Sequence, residues 1–287
     1  MFTNDNTECS TKISIISQNK FDSWLAKQQL FIKNWCLSNN FKGEKSKILK
    51  IPYPDGRLNE VIIGEGSHKD LSGISKFASS NKGNYYISTK FALCNDLEAQ
   101  KAWSWGNYNL RSKSKKNLLY VKNTKDLNFL NLYTNTLNFS RDLINLPANE
   151  INPVSFYNKV KKSDLFSNFH FQDYSLSEIK SNFPLTYAVG KSSNSQPQVI
   201  HISNKKILKK DQPLVIIGKG VTFDTGGVNI KPGNSMRYMK KDMGGSAIAI
   251  SLFLLANYLL KKTKIVLIIP LAENSISSNS MRPGDIY

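Results

Sequence analysis

Four side chains in one short stretch carry the chemistry this sequence offers: Lys219, Asp224, Lys231 and Asp242, all within residues 214–245. Two carboxylates and an amine are hard donors, suited to Mn, Mg or Zn rather than to a soft metal. Gly226-Gly227 and Gly244-Gly245 let backbone approach an ion or a substrate closely. Lys219 and Asp224 are expected to flank a turn at the end of an apolar strand, the place where open α/β sheets bind ligands. Asp242 is expected just ahead of a helix that starts near Gly244. An ordinary reading stands beside this one: two solvated turn residues and a helix cap. Residue types and spacing leave both open.

Other chemistries are excluded by pattern. Gly218-Lys219-Gly220 follows a strand, but the third glycine of a dinucleotide loop falls on Phe223. No phosphate-binding loop ending in Gly-Lys-Ser/Thr is present, and no Gly-x-Ser-x-Gly nucleophile motif. Asp224-Thr225-Gly226 is also an aspartic peptidase triplet, but those enzymes pair two carboxylates on an all-β frame. The three histidines, His68, His170 and His201, are isolated in sequence. His201 lies in a strand pattern and reads as a packed core or edge residue, so a His/Cys zinc site is not expected.

The stretch resembles the signature of the leucyl (cytosol) aminopeptidase family, the dinuclear metallopeptidases. The matching segments are Gly218-Lys219-Gly220-Val221-Thr222-Phe223-Asp224-Thr225-Gly226-Gly227, Ile230-Lys231-Pro232 and Met239-Lys240-Lys241-Asp242-Met243-Gly244-Gly245. The match runs back to Arg141-Asp142-Leu143-Ile144-Asn145-Leu146-Pro147-Ala148-Asn149-Glu150. It runs forward to Ile269-Pro270-Leu271-Ala272-Glu273-Asn274 and Met281-Arg282-Pro283-Gly284-Asp285. The resemblance implies that Lys219 and Asp242 bind one metal, that Asp224 bridges two, and that Lys231 is the catalytic lysine. Lys231 would also contact substrate, and Met239 would line the pocket for the first side chain. The implied cofactor is a pair of divalent ions, Mn or Zn. Such a pair activates a water and polarises the scissile carbonyl, and the substrate's free amino group can bind one ion. Lys219 must then be neutral while Lys231 keeps its proton to face the oxyanion. The segment from Arg141 to Glu150 reads as structural, a helix stop and a proline turn.

The same resemblance calls for a later motif, Asn-Thr-Asp-Ala-Glu-Gly-Arg, whose Asp and Glu are metal ligands and whose Arg holds a bicarbonate. These 287 residues do not contain it. Three of five ligand side chains and one of two catalytic residues are therefore expected. Asp224 and Asp242 return −2 against the +4 of two divalent ions, and an uncompensated +2 in a partly dry pocket is costly. The second metal is expected to bind poorly and the chain to be inactive alone, as the N-terminal part of a longer aminopeptidase. An apolar sheet edge is expected near residues 264–271. The alternative is a non-catalytic remnant of the same fold that binds nucleic acid or a partner.

The elements that must position these residues follow from pattern. Residues 12–18 read as a strand, 21–38 as one amphipathic helix, 48–53 and 60–63 as strands around Pro54-Asp55-Gly56, 85–88 as a strand and 95–108 as a helix. Residues 118–121 read as a strand and 126–145 as a helix. Asn152-Pro153 is a cap followed by a first-turn proline. The runs 185–189, 198–202 and 214–217 are short and apolar. Residues 244–262 read as an apolar helix and 264–271 as a buried strand. The alternation predicts a small N-terminal α/β domain over residues 1–112. A catalytic α/β/α domain, incomplete in the sense above, follows over 118–287, with a central mixed, mostly parallel sheet.

Composition bounds the rest. A chain of 287 residues with 40% apolar and 11% aromatic residues can build its own core. Cys9, Cys36 and Cys94 are odd in number and form no Cys-x-x-Cys, as expected of free thiols in the cytoplasm. The start is polar, and the longest apolar run, residues 247–260, is shorter than the roughly 20 residues that span a bilayer, so no membrane partner is expected. The net charge of +18 comes from lysines scattered among Asn and Ser, with clusters at Lys113-Ser114-Lys115-Lys116, Lys205-Lys206, Lys209-Lys210 and Lys261-Lys262. No aromatics interleave them, so solvated surface is favoured over a nucleic-acid site. Peptide substrates are the implied partners, and the resemblance implies a homo-oligomer, a hexamer in the family.

Overall fold

The computed structural model describes residues 2–5, 11–110 and 117–287. Cys9 and the Lys113–Lys116 cluster lie outside the described residues. The chain divides into two compact units, Met1–Thr134 and Asn135–Tyr287.

The first unit carries β1 (Phe2–Thr3), β2 (Thr11–Ser17), α1 (Phe21–Leu25), α2 (Leu30–Ser38), β3 (Ile48–Pro52), β4 (Leu58–Gly66), α3 (Ser72–Ser80), β5 (Gly83–Phe91), α4 (Asp96–Gly106) and β6 (Asn117–Tyr120). Its sheet runs β1-β6-β5-β2-β4-β3, parallel throughout except β3 against β4. Both faces are covered, as a parallel sheet requires. Ile13, Ile15, Val61 and Ile63 face a core with Phe77 and Trp103, while Ile16 and Ile62 face a second with Phe21, Trp24 and Phe41. The single helix expected over 21–38 is two. The Gln28 side-chain amide donates to the Trp24 carbonyl at 3.1 Å, and Gln29 is extended. The break lets Trp24, Ile32 and Cys36 all be buried. α3 was not anticipated: its Ser and Gly content weakens helix propensity, although Ile74, Phe77 and Ala78 keep helical spacing.

Helix α5 (Thr124–Asn145) runs across the divide. The second unit continues with α6 (Pro153–Lys161), β7 (His170–Phe171), α7 (Leu176–Asn182), α8 (Pro184–Gly190), β8 (Gln198–Ser203), β9 (Leu214–Ile217), β10 (Gly220–Asp224), α9 (Gly233–Met236), α10 (Gly244–Leu259) and β11 (Ile265–Asn274). Asn152 caps α6 through a reciprocal pair of bonds with Ser155, ahead of Pro153. The apolar run 185–189 is helix α8, started by Pro184 with its preset φ. β11 is the middle of a mixed sheet. It pairs antiparallel with β8 on one side and parallel with β9, then β10, on the other. The expected apolar edge at 264–271 is therefore wrong: those residues are interior, and β9 exposes Leu214, Val215 and Ile217 instead. Ala247, Ile250, Phe253 and Leu254 of α10 pack with Ile265, Leu267, Ile269 and Leu271 of β11. With the short turn before it, the helical run Met239–Leu259 reaches 21 residues and is apolar enough to cross a membrane by length and composition. Here its buried face belongs to the core.

Candidate metal centre

The lapse between β9 and β10 has a cause in β11. The carbonyls of Lys264 and Ile268 accept from the amides of Leu214 and Gly218, so the even residues of β11 face this side. Pro270 is next in that series and has no N–H to give. The ladder lapses beside Gly218-Lys219 and resumes at Gly220, opposite Leu271. Lys219 thus sits within an interrupted strand, not at a strand end as expected, while Asp224 does end β10. The start of α10 closes on the gap: the Ser246 amide donates to the Lys219 carbonyl at 3.0 Å. A Cβ on Gly218 would lie 2.7 Å from Ser246 Cα and 2.8 Å from Ala249 Cβ, so only glycine permits this approach.

The four expected residues form two ion pairs. Lys219 Nζ lies 3.1 Å from Asp242 Oδ2, and Lys231 Nζ lies 2.6 Å from Asp224 Oδ2. Asp242 follows the turn Met239–Lys241, its amide donating to the Met239 carbonyl at 3.1 Å. Its Oδ2 is buried and, despite Lys219, accepts no hydrogen bond of good geometry. Asp224 is fully partnered. Its Oδ1 accepts from the Gly226 amide at 2.9 Å and from the Asn274 side-chain amide at 2.7 Å. Burial pushes the Asp224 carboxyl up, but the Lys231 ammonium, the Gly226 amide and Asn274 together outweigh it and hold it below the usual range. Gly226 adopts φ +90°, and a Cβ there would meet the Asn229 carbonyl at 2.3 Å. The loop is closed by the Lys231 amide, which donates to the Thr225 carbonyl at 2.9 Å. Lys231 Nζ also donates to Met239 Sδ at 3.3 Å, so the two side chains expected at substrate touch each other.

Pattern reading missed the part played by Asn274. Besides its bond to Asp224, its carbonyl accepts from the Thr225 amide at 3.0 Å and the Thr225 hydroxyl at 2.8 Å. The signal was a polar residue ending an apolar strand, but its register opposite Asp224 exists only in the sheet. The flanking motif segments clasp one another. The Asn149 amide donates to Asp285 Oδ1 at 3.0 Å, and Arg282 pairs with both Asp285 and the buried Glu273. His201 is half-buried on β8.

An amine and a carboxylate converge at Lys219 and Asp242, and a buried carboxylate oxygen there lacks a hydrogen bond. That donor set fits a hard divalent cation. It is incomplete as a cage: among the described residues no three of His, Cys, Asp and Glu gather closely enough to hold a metal.

The profile of the cytosol aminopeptidase family, catalytic domain, matches residues 138–287, and that of the M17 aminopeptidase N-terminal domain matches residues 11–125. A probable cytosol aminopeptidase of Aquifex aeolicus is 28% identical over 273 residues, 86% of this chain and 55% of its own length. One from Protochlamydia amoebophila is 38% identical over 159 residues, 52% of this chain and 30% of its own. The crystal structure of cytosol aminopeptidase from Coxiella burnetii superposes with a TM-score of 0.79 at 26% identity, covering 99% of this chain and 63% of that one. The bottromycin maturation enzyme BotP in complex with Mn shares the fold, with a TM-score of 0.73 at 19% identity over 96% of this chain and 62% of that one. The chain spans about half the length of the first of these curated relatives. With one profile covering its whole second half and another most of its first, the chain belongs to the cytosol aminopeptidase family.

Proposed function

We propose that the chain contributes the first part of a metal-dependent aminopeptidase centre that releases N-terminal, leucine-like residues from peptides in the cytoplasm. The observation that carries this reading is the buried Asp242 oxygen facing Lys219 without a hydrogen bond. When bound, a pair of divalent ions, Mn or Zn, would polarise the scissile carbonyl and activate a water. Lys219 and Asp242 would hold one ion, and Asp224 would serve both. To ligate, Lys219 gives up its proton and Asp242 exchanges an ammonium for a cation. Lys231 would keep its proton and, once released from Asp224, its ammonium would face the oxyanion that develops on the substrate. Met239, in contact with Lys231, borders the place of the substrate's first side chain. Gly226 and Asn274 keep the Asp224 carboxylate oriented while its partners change, as outer ligands do in metal sites.

The two carboxylates cannot neutralise two divalent ions, so these 287 residues hold one ion weakly and turn over no substrate by themselves. A homo-oligomer is part of the same reading. The test is Mn2+ titration followed by the electron paramagnetic resonance of free Mn2+, beside hydrolysis of leucine 4-nitroanilide. Expected are at most one bound ion, its loss in Asp242→Asn, and no turnover. Two tightly bound ions, or turnover at the rate of a complete relative, would overturn the reading.

A further inference from the structure

A cavity of about 550 Å3 opens at the other end of the second sheet. Val266 on its wall is eight residues before Asn274 on β11, about 26 Å along the strand. The cavity is lined by His170, His201, Lys206 and Lys209 and by no Asp or Glu. The two acids closest to it in sequence are taken: Asp173 pairs with Lys161 at 2.6 Å and accepts from the Tyr157 hydroxyl, and Asp211 accepts from the Leu208 amide at 2.6 Å and pairs with Lys264 at 2.5 Å. Leu208 and Val266 supply apolar wall, while the Phe171 ring, opposite Ile202, packs into the core on the other face. β7 pairs with β8 so that His170 lies opposite Ser203, two residues from His201, which places both histidines on one face.

His201 is held in place by Tyr174. The Tyr174 hydroxyl lies 2.7 Å from its Nδ1, and the two rings stack at 6.0 Å and 13°. Burial keeps the Tyr174 hydroxyl protonated and the imidazole neutral. Either group can donate in this bond, and where the Tyr174 hydroxyl donates to Nδ1 the ring proton sits on Nε2. Nε2 has no partner among the described residues, and neither do the ammonium groups of Lys206 and Lys209.

We propose that this cavity is a second binding site, separate from the metal centre, for an apolar carboxylate: a hydrocarbon or aromatic body with one anionic head. The body lies against Leu208 and Val266. The head meets the two lysine ammonium groups and, with Tyr174 donating to Nδ1, the Nε2 proton of His201. The volume is that of a small-molecule pocket, and the absence of any acid among the lining residues selects against amino acids and amines.

The test follows the histidine ring resonances of the 287-residue chain during titration with octanoate, below its micelle concentration. His68, in the first unit, is the internal control. Expected are saturable shifts of His170 and His201 with His68 unmoved, no shift with octylammonium, and little with acetate at equal concentration. The Lys206→Glu/Lys209→Glu variant, altered only on the exposed surface, should weaken binding about tenfold or more, as two reversed charges near one anion require. Four results overturn the proposal: no shift with octanoate, an equal shift with octylammonium or acetate, concerted movement of all three histidines, or an unweakened double variant.

Discussion

Asn274→Ala isolates what holds Asp224 in place. The substitution removes one hydrogen bond, from the side-chain amide to Asp224 Oδ1 at 2.7 Å. It leaves the Asn274 carbonyl in its bonds with Thr225. A hydrogen bond to a charged group is worth about 1.5–3 kcal/mol. The Asp224 side chain is only 16% exposed, so solvent replaces little of the loss, but Lys231 and Gly226 stay in contact. The lower figure, about 1.5 kcal/mol, is therefore expected, roughly a tenfold change in a local opening equilibrium. Fluorescence will not see it, because all four tryptophans (Trp24, Trp35, Trp103 and Trp105) lie in the first unit. The assay is amide hydrogen exchange at Gly226, whose N–H donates to the same carboxylate oxygen. Because the Asp224 carboxyl is held low, its contribution is complete above its unfolded value of about 3.9 and is lost as pH falls through the lower folded value. Gly226 protection should drop about tenfold at pH 7 and much less at the acid end. Unchanged protection at pH 7, or an equal drop at both pH values, refutes the assignment of Asn274 as the support of Asp224.

Two further outcomes follow from groups in the first unit. Burial pushes the Cys36 thiol up to about 11 and the Cys94 thiol up to about 12, so in a Cys9→Ser variant neither should react with an aromatic disulfide reagent until urea unfolds the chain; rapid labelling of the native protein contradicts the packing. The Asp70 carboxyl is held down to about 2, chiefly by the Ser72 hydroxyl and also by Lys45, so its stabilisation is present above about 3.9 and fades toward pH 2. Asp70→Asn should flatten the stability–pH curve across that window, and an unaltered slope in urea titrations counts against it.

The site was legible because its residues lie within one stretch whose order and spacing are long enough to identify a family. Asn152-Pro153 also carried its own meaning, since a cap and a first-turn proline act through neighbouring atoms. What escaped was decided by distant partners. The split of 21–38 depends on where Trp24 and Ile32 find their core, not on their mutual spacing, which suits one helix. Residues 185–189 are apolar enough for a strand, and a run that short has no period to read. The position of Lys219 depends on Pro270, fifty-one residues later by the numbering, through a hydrogen bond that a proline cannot make.

The two ion pairs also order the events of metal binding on the proposed reading. Without a cation a lysine faces each carboxylate, so both acids stay oriented. The two sites are unequal. Asp224 accepts from Lys231, Gly226 and Asn274, and a cation there must displace an ammonium held at 2.6 Å. Asp242 Oδ2 accepts no hydrogen bond, and the ammonium it faces belongs to Lys219, whose side chain is 60% exposed, so that pair costs little to open. On that reading the first ion would enter beside Asp242. A second position at Asp224 would stay unfilled in these 287 residues, because Lys231 already neutralises that carboxylate and two acids offer only −2 against +4.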